Sequence, residues 1–175
     1  MGFSVVAPSI GTLWNNATGQ QRIADALAYA RSALGATSAK AIFLGTSMGG
    51  FSALSWAAMN PTLVKAVYAF LPVVDLQAVR VSNVLGLRSY VDAAWGVTYP
   101  AALPAGANVY GRAADLAGIP IRIWSASNDN VSENVAGFVA ATGATHTNLG
   151  AVGHTDAALA GIDAAAVAEF VRQNI

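Results

Sequence analysis

The chain has 175 residues, no cysteine, and nine acidic against nine basic side chains, so one domain that folds without disulfides or thiolate metal sites is expected. Charged residues make up only 10 % of it, which excludes a polyanion-binding patch and nucleic acid as a partner. Apolar residues make up 55 %, yet the longest apolar runs, such as Ala66 to Val74, are too short to span a bilayer. Met1 to Val6 lacks the basic region and apolar core of a signal peptide, leaving cytoplasmic and secreted locations both open.

In chain order, Phe3 to Ala7 is a continuous apolar run closed by Pro8-Ser9, the pattern of a strand buried on both faces of a parallel sheet. A loop to Asn16 follows. Thr18-Gly19-Gln20-Gln21 reads as a capping box for a helix carrying Ile23, Leu27, Ala30 and Leu34, ended by Gly35. Ala41 to Leu44 is the next strand. A helix from about Gly49 to Met59 stops at Asn60-Pro61, and Lys65 to Leu71 reads as a third strand. From Val73 to Gly111 short helical pieces are broken by Gly86, Gly96, Pro100, Pro104 and Gly106, as in an insertion over the sheet's edge. Beyond a short helix at Ala113 to Ala117, Ile119 to Trp124 is a strand, Ser132 caps a helix ended by Gly143, Thr145 to Leu149 is a last strand, and Asp163 caps a final helix. The alternation predicts an α/β three-layer sandwich of five to six mainly parallel strands, a single domain over residues 1–175 with residues 73–111 as a small helical lid.

The most informative stretch is Leu44-Gly45-Thr46-Ser47-Met48-Gly49-Gly50, where an apolar strand enters Gly-x-Ser-x-Gly and leaves into helical sequence. This is the pattern of a nucleophile elbow, whose flanking glycines permit a sharp strand-to-helix turn and leave the Ser47 hydroxyl open. The helix N-terminus then offers amides to a developing oxyanion. A serine nucleophile needs a base, and the base needs a carboxylate. Of the two histidines, His146 lies within a strand, where a side chain faces the core or a helix interface. His154 lies in a glycine-punctuated loop after that strand. Asp129, in the loop after Ile119 to Trp124, is the leading acid; Asp75, after Lys65 to Leu71, is the runner-up, and Asp156, close in sequence to His154, is a weak third. No HExxH, P-loop or dinucleotide fingerprint is present, so neither metal nor organic cofactor is implied.

The order Ser47, Asp129, His154 at successive strand ends resembles the α/β-hydrolase superfamily, over nearly the whole chain. The resemblance implies that Ser47 attacks the substrate carbonyl, His154 moves the proton, Asp129 orients His154, and the Met48 amide is one oxyanion donor. It also implies a lid at residues 73–111, with Tyr90, Trp95 and Tyr99 as candidate pocket lining. In that superfamily, further strands and a loop giving the second oxyanion amide precede the elbow; here they are missing from Phe3 onward. A fragment of a longer protein, a substitute donor from the Ile10 and Gly11 amides, or a partner subunit would each account for this. The expected activity is hydrolysis of small to medium apolar carboxylic esters through an acyl-enzyme. The competing reading is a catalytically silent hydrolase-like domain used for binding or assembly, with a homo-oligomer or an N-terminal segment completing the fold.

Overall fold

The structure is a computed structural model that describes residues 3–154 and 161–175. Four strands, β1 (Ala41–Thr46), β2 (Val64–Phe70), β3 (Ile121–Ser125) and β4 (Thr145–Asn148), pair in sequence order and all in parallel. Six α-helices accompany them among the described residues: α1 (Ala17–Ala33), α2 (Met48–Met59), α3 (Leu76–Ser82), α4 (Leu87–Trp95), α5 (Val135–Thr142) and α6 (Ala164–Gln173). Parallel neighbours require long crossovers, and each connection here carries one or more helices.

The period of two along the strands sorts the core into two faces. Val67 and Ala69 of β2 and Ile121 and Ile123 of β3 point into the main core with Phe51 and Leu54 of α2, Phe138 of α5 and Trp14 ahead of α1. Ala66 and Tyr68 point the other way, onto Phe170 of α6, where the Tyr68 and Phe170 rings meet edge to face at 5.4 Å. Helices on both faces make the three layers.

The 73–111 segment is not a loose flap. Leu76, Val79, Val91 and Val109 are fully buried in the main core, and Asn16 Nδ2 donates to the Ala94 carbonyl at the end of α4. Within it the Arg80 guanidinium is wholly buried and paired with Asp92.

Several expectations shift. Phe3 to Ala7 joins no ladder and is largely solvent-facing, with Val5 84 % exposed; its one side-chain tie is Ser4 Oγ to the Leu34 carbonyl. Sequence pattern cannot supply a pairing partner, and β1 pairs only with β2, so the sheet has four strands among the described residues instead of five or six. The cap of α1 is Asn16, whose Oδ1 accepts from the Gly19 amide, in place of Thr18. The cap position of α5 is Asn134, at φ 64°, in place of Ser132, whose amide is used elsewhere. Asp163 caps α6 as expected, accepting from the Ala165 and Ala166 amides. Among the described residues no helix is long and apolar enough to cross a membrane.

Leu54 has no exposed surface and sits at the centre of the main core. Leu54→Ala is expected to lower the unfolding free energy by about 2–5 kcal/mol in urea melts, with the denaturant slope unchanged.

Candidate active site

The site begins where β1 runs out. Ser47 lies between Thr46 of β1 and Met48 of α2 with φ 51° and ψ −120°, a backbone state that costs a non-glycine residue on the order of 1–3 kcal/mol. Surrounding bonds hold it there. The Ser47 amide donates to the Phe70 carbonyl at 2.9 Å, and the Ser47 carbonyl accepts from the amides of Phe51 and Val73 at 3.1 and 3.3 Å. β2, the next strand, therefore grips the turn from the side.

The glycines around the turn are not equivalent. A Cβ on Gly45 would lie 2.3 Å from the Gly49 carbonyl oxygen, and one on Gly50 would lie 2.8 Å from Pro72 Cβ; a Cβ on Gly49 would meet nothing within 4 Å. Steric need thus falls on Gly45 and Gly50, not on the second glycine of the Gly-x-Ser-x-Gly pattern. Strand and helix backbones come into contact at residue 45, which leaves no room for a side chain.

The structure brings Ser47, His154 and Asp129 into one hydrogen-bonded row. His154 Nε2 lies 2.8 Å from Ser47 Oγ, and His154 Nδ1 lies 2.8 Å from Asp129 Oδ2. An ionised carboxylate can only accept, so Nδ1 carries the proton and Nε2 is left to accept from the serine hydroxyl. The Asp129 side chain is completely buried, and that of His154 keeps 15 % of its surface exposed. The other carboxylate oxygen, Oδ1, accepts from the amides of Val131 and Ser132 at 2.9 and 3.1 Å.

Two loops carry acid and base, and they are stitched together. The Ser127 amide donates to the Gly150 carbonyl, and the Leu149 amide donates to the Ser125 carbonyl. Ser127 and Asn148 also meet through their side chains. Because β3 and β4 are adjacent and parallel, both loops leave the same edge of the sheet, which is where open parallel sheets place their sites.

The remaining candidates are placed as follows. Met48 is the first residue of α2, so its amide has no acceptor within the helix and is free to donate outward. The Ile10 side chain packs on the main core near Gly19, and Gly11 occupies an exposed turn at φ 56°. Tyr90 is half exposed on α4. Trp95 packs against the main core. Tyr99 lies beneath the Arg88 guanidinium, 4.3 Å from its ring centroid, with Arg80 at 5.6 Å. Asp75 is bound by the Ala78 amide and by Asn108 and Asn134, while the His154 Nδ1 position is taken by Asp129. His146 is solvent-exposed on β4, an edge strand of the sheet, its Nε2 2.7 Å from Ser125 Oγ. Asp156 lies outside the described residues. Among those residues no cluster of three or more His, Asp or Glu side chains could hold a metal ion.

This fold, with a serine at the strand-to-helix turn and a histidine and an aspartate at later strand ends, is that of the α/β hydrolases. The α/β hydrolase enzyme MGS-MChE2 from the metagenome of lagoon sediments of Mar Chica, Morocco, superposes at a TM-score of 0.60 with 19 % identity, over 92 % of this chain and 74 % of that one. Esterase B of Lactobacillus rhamnosis gives a TM-score of 0.62 at 15 % identity, over 89 % of this chain and 60 % of that one. A protein described as a putative dipeptidyl aminopeptidase IV from Bacteroides ovatus gives 0.70 at 17 % identity, over 90 % of this chain but 22 % of that one. At such identities the likeness speaks for the fold alone. No curated protein sequence matches the chain. The model of the family described as "Putative esterase" matches residues 19–162, and the chain belongs to that family.

Asp129 and the site glycines yield two tests. Burial pushes the Asp129 pKa up, but the hydrogen bonds from His154, Val131 and Ser132 outweigh it and hold the carboxyl below the usual range. A folded-state pKa below the unfolded one gives stability that is present above about pH 4 and lost as the pH falls through the folded value. Asp129→Asn should therefore be less stable than the wild type in urea at pH 7, with the gap closing in acid; a pH-independent gap would contradict the assignment. Gly45→Ala is expected to destabilise by at least about 1–3 kcal/mol, whereas Gly49→Ala, in open helical space, should raise stability by about 0.4–1 kcal/mol, both read from thermal melts.

Proposed function

We propose that the chain hydrolyses carboxylic esters through an acyl-enzyme, with Ser47 as nucleophile, His154 as general base and acid, and Asp129 as its orienting carboxylate. The observation that carries the reading is the unbroken row of 2.8 Å contacts from Ser47 Oγ through His154 to Asp129, standing on a strained turn that surrounding backbone bonds maintain. Membership of an esterase family supports the same reaction class.

Ser47 Oγ attacks the ester carbonyl carbon while its proton passes to His154 Nε2. The imidazolium that forms is stabilised by the buried Asp129 carboxylate, which stays ionised. The tetrahedral oxyanion is met by the Met48 amide at the start of α2, where the helix dipole adds favourable field. A second donor, from the amides of Ile10 and Gly11, would complete the hole. Collapse expels the alcohol, protonated by His154, and leaves the acyl group on Ser47. Water, deprotonated by His154, then releases the acid and restores the serine. Formal neutrality and few charges favour an uncharged, apolar ester of small to medium size, and Tyr90, Trp95 and Tyr99 are the aromatic candidates for contact with it.

A fluorophosphonate probe is expected to label Ser47 alone, located by peptide mass spectrometry. A folded protein left unlabelled would overturn the proposal in favour of a binding or assembly role. Ser47→Ala and His154→Ala should each lower kcat for a p-nitrophenyl ester by about 10⁶-fold, and Asp129→Ala by about 10⁴-fold. Full turnover in Asp129→Ala would move the acid elsewhere.

A further inference from the structure

Asp75 stands at the carboxyl end of β2 and is bound from three directions. Its Oδ1 accepts from the Ala78 amide at 3.1 Å and from Asn108 Nδ2 at 2.8 Å; its Oδ2 accepts from Asn134 Nδ2 at 2.7 Å. Asn108 answers with its own Oδ1, which accepts from the Leu76 amide at 3.0 Å and the Tyr110 amide at 3.4 Å. One carboxylate thereby joins the start of α3, the far end of the 73–111 insert and the start of α5.

The third tie bears on the site. Asn134 ends the turn that begins at Asp129, and within that turn the Val131 and Ser132 amides bind Asp129 Oδ1. The near end of the turn is held by β3 and by the Ser127 to Gly150 bond. At the far end the side-chain tie is Asn134 to Asp75, made by a residue at φ 64°, a left-handed state that asparagine tolerates. Capping α3 alone would require only Oδ1, as supplied by a Ser or Asn at that position. Oδ2 has a separate use, and it is directed at the Asp129 turn.

We propose that Asp75 is a positioning residue: through Asn134 it holds the Asp129 turn in the register that lets Asp129 Oδ2 meet His154 Nδ1. The catalytic part of this rests on the serine-hydrolase reading above; the mechanical part does not. Charge-assisted acceptance by the carboxylate makes these bonds stronger and more directional than neutral ones. A shift of the turn by even about 1 Å would misalign His154 against Ser47, which costs about a hundredfold in rate.

The test is a double-mutant cycle between positions 75 and 134. Asp75→Asn keeps an oxygen for the Ala78 amide, and a half-turn of the Asn134 amide leaves a neutral bond in place of the charge-assisted one. Asn134→Asp sets two carboxylates against each other, in a residue type that tolerates the left-handed backbone. Asn134→Asp is expected to lower kcat about ten- to a hundredfold with KM within about twofold, and to speed hydrogen exchange at the Val131 and Ser132 amides while β2 and α2 stay protected; Asp75→Asn alone should do both more weakly. In Asp75→Asn/Asn134→Asp the amide at position 75 again faces an acceptor, so kcat and amide protection should both recover. Unchanged protection at Val131 and Ser132 in Asn134→Asp would overturn the proposal. So would a double variant no better than Asn134→Asp, the result expected if Asp75 itself served His154. A wild type that fluorophosphonate fails to label would sink the hydrolase reading and leave the exchange measurement to decide the clasp.

Discussion

The contact between the end of β1 and the first turn of α2 governs the rest of the molecule. The Gly49 carbonyl occupies the space a side chain at residue 45 would fill, so the chain reverses from strand to helix within a single residue, and that residue is Ser47 at a positive φ. A relaxed turn would need more chain and would let the serine swing. Instead Phe70 takes the Ser47 amide and Val73 binds its carbonyl, so β2 and the segment after it share in holding the strain. Strain at one residue is sustained because the neighbouring strand over-determines it.

A second constraint follows from the parallel sheet. Every strand's carboxyl end lies on one edge, so the loops after β1, β2, β3 and β4 crowd together there and must satisfy one another's polar groups. They do so by side-chain bonds to backbone amides and to one another: Asp129 to two amides of its own turn, Asn148 to the Gly150 amide, and Asp75 to one backbone amide and two side-chain amides. The two carboxylates have the same residue type and comparable positions after neighbouring strands. They differ in what surrounds them: one lies against the only described histidine that faces Ser47, the other closes a junction between α3, Asn108 and the start of α5.

Much of this was legible in residue order. The Gly-x-Ser-x-Gly stretch between an apolar strand and an Ala-rich run, the βα alternation, and the loop positions of Asp129 and His154 are local features, and local features survive into the fold. The same reading erred where the outcome depended on a partner. Phe3 to Ala7 has the composition of a buried strand but pairs with no strand among the described residues. His146 was expected to be covered because it lies in a strand, and it is exposed because that strand is β4, at the edge. Ser132 has cap chemistry, yet the cap position falls two residues later, at Asn134.

The clasp of Asp75, Asn108 and Asn134 had no sequence signal: its members are 33 and 59 positions apart from Asp75 and belong to common turn residue types. The sequence by itself determined the elbow, the fold class and a short list of acids and bases, because steric demands at a tight turn and hydrophobic periodicity act over a few residues. Only the tertiary structure decided which carboxylate faces His154, which glycines are sterically required, and which strands find partners. Those outcomes depend on distances between segments far apart in the chain, set by the packing of the sheet and not by any residue's own preference.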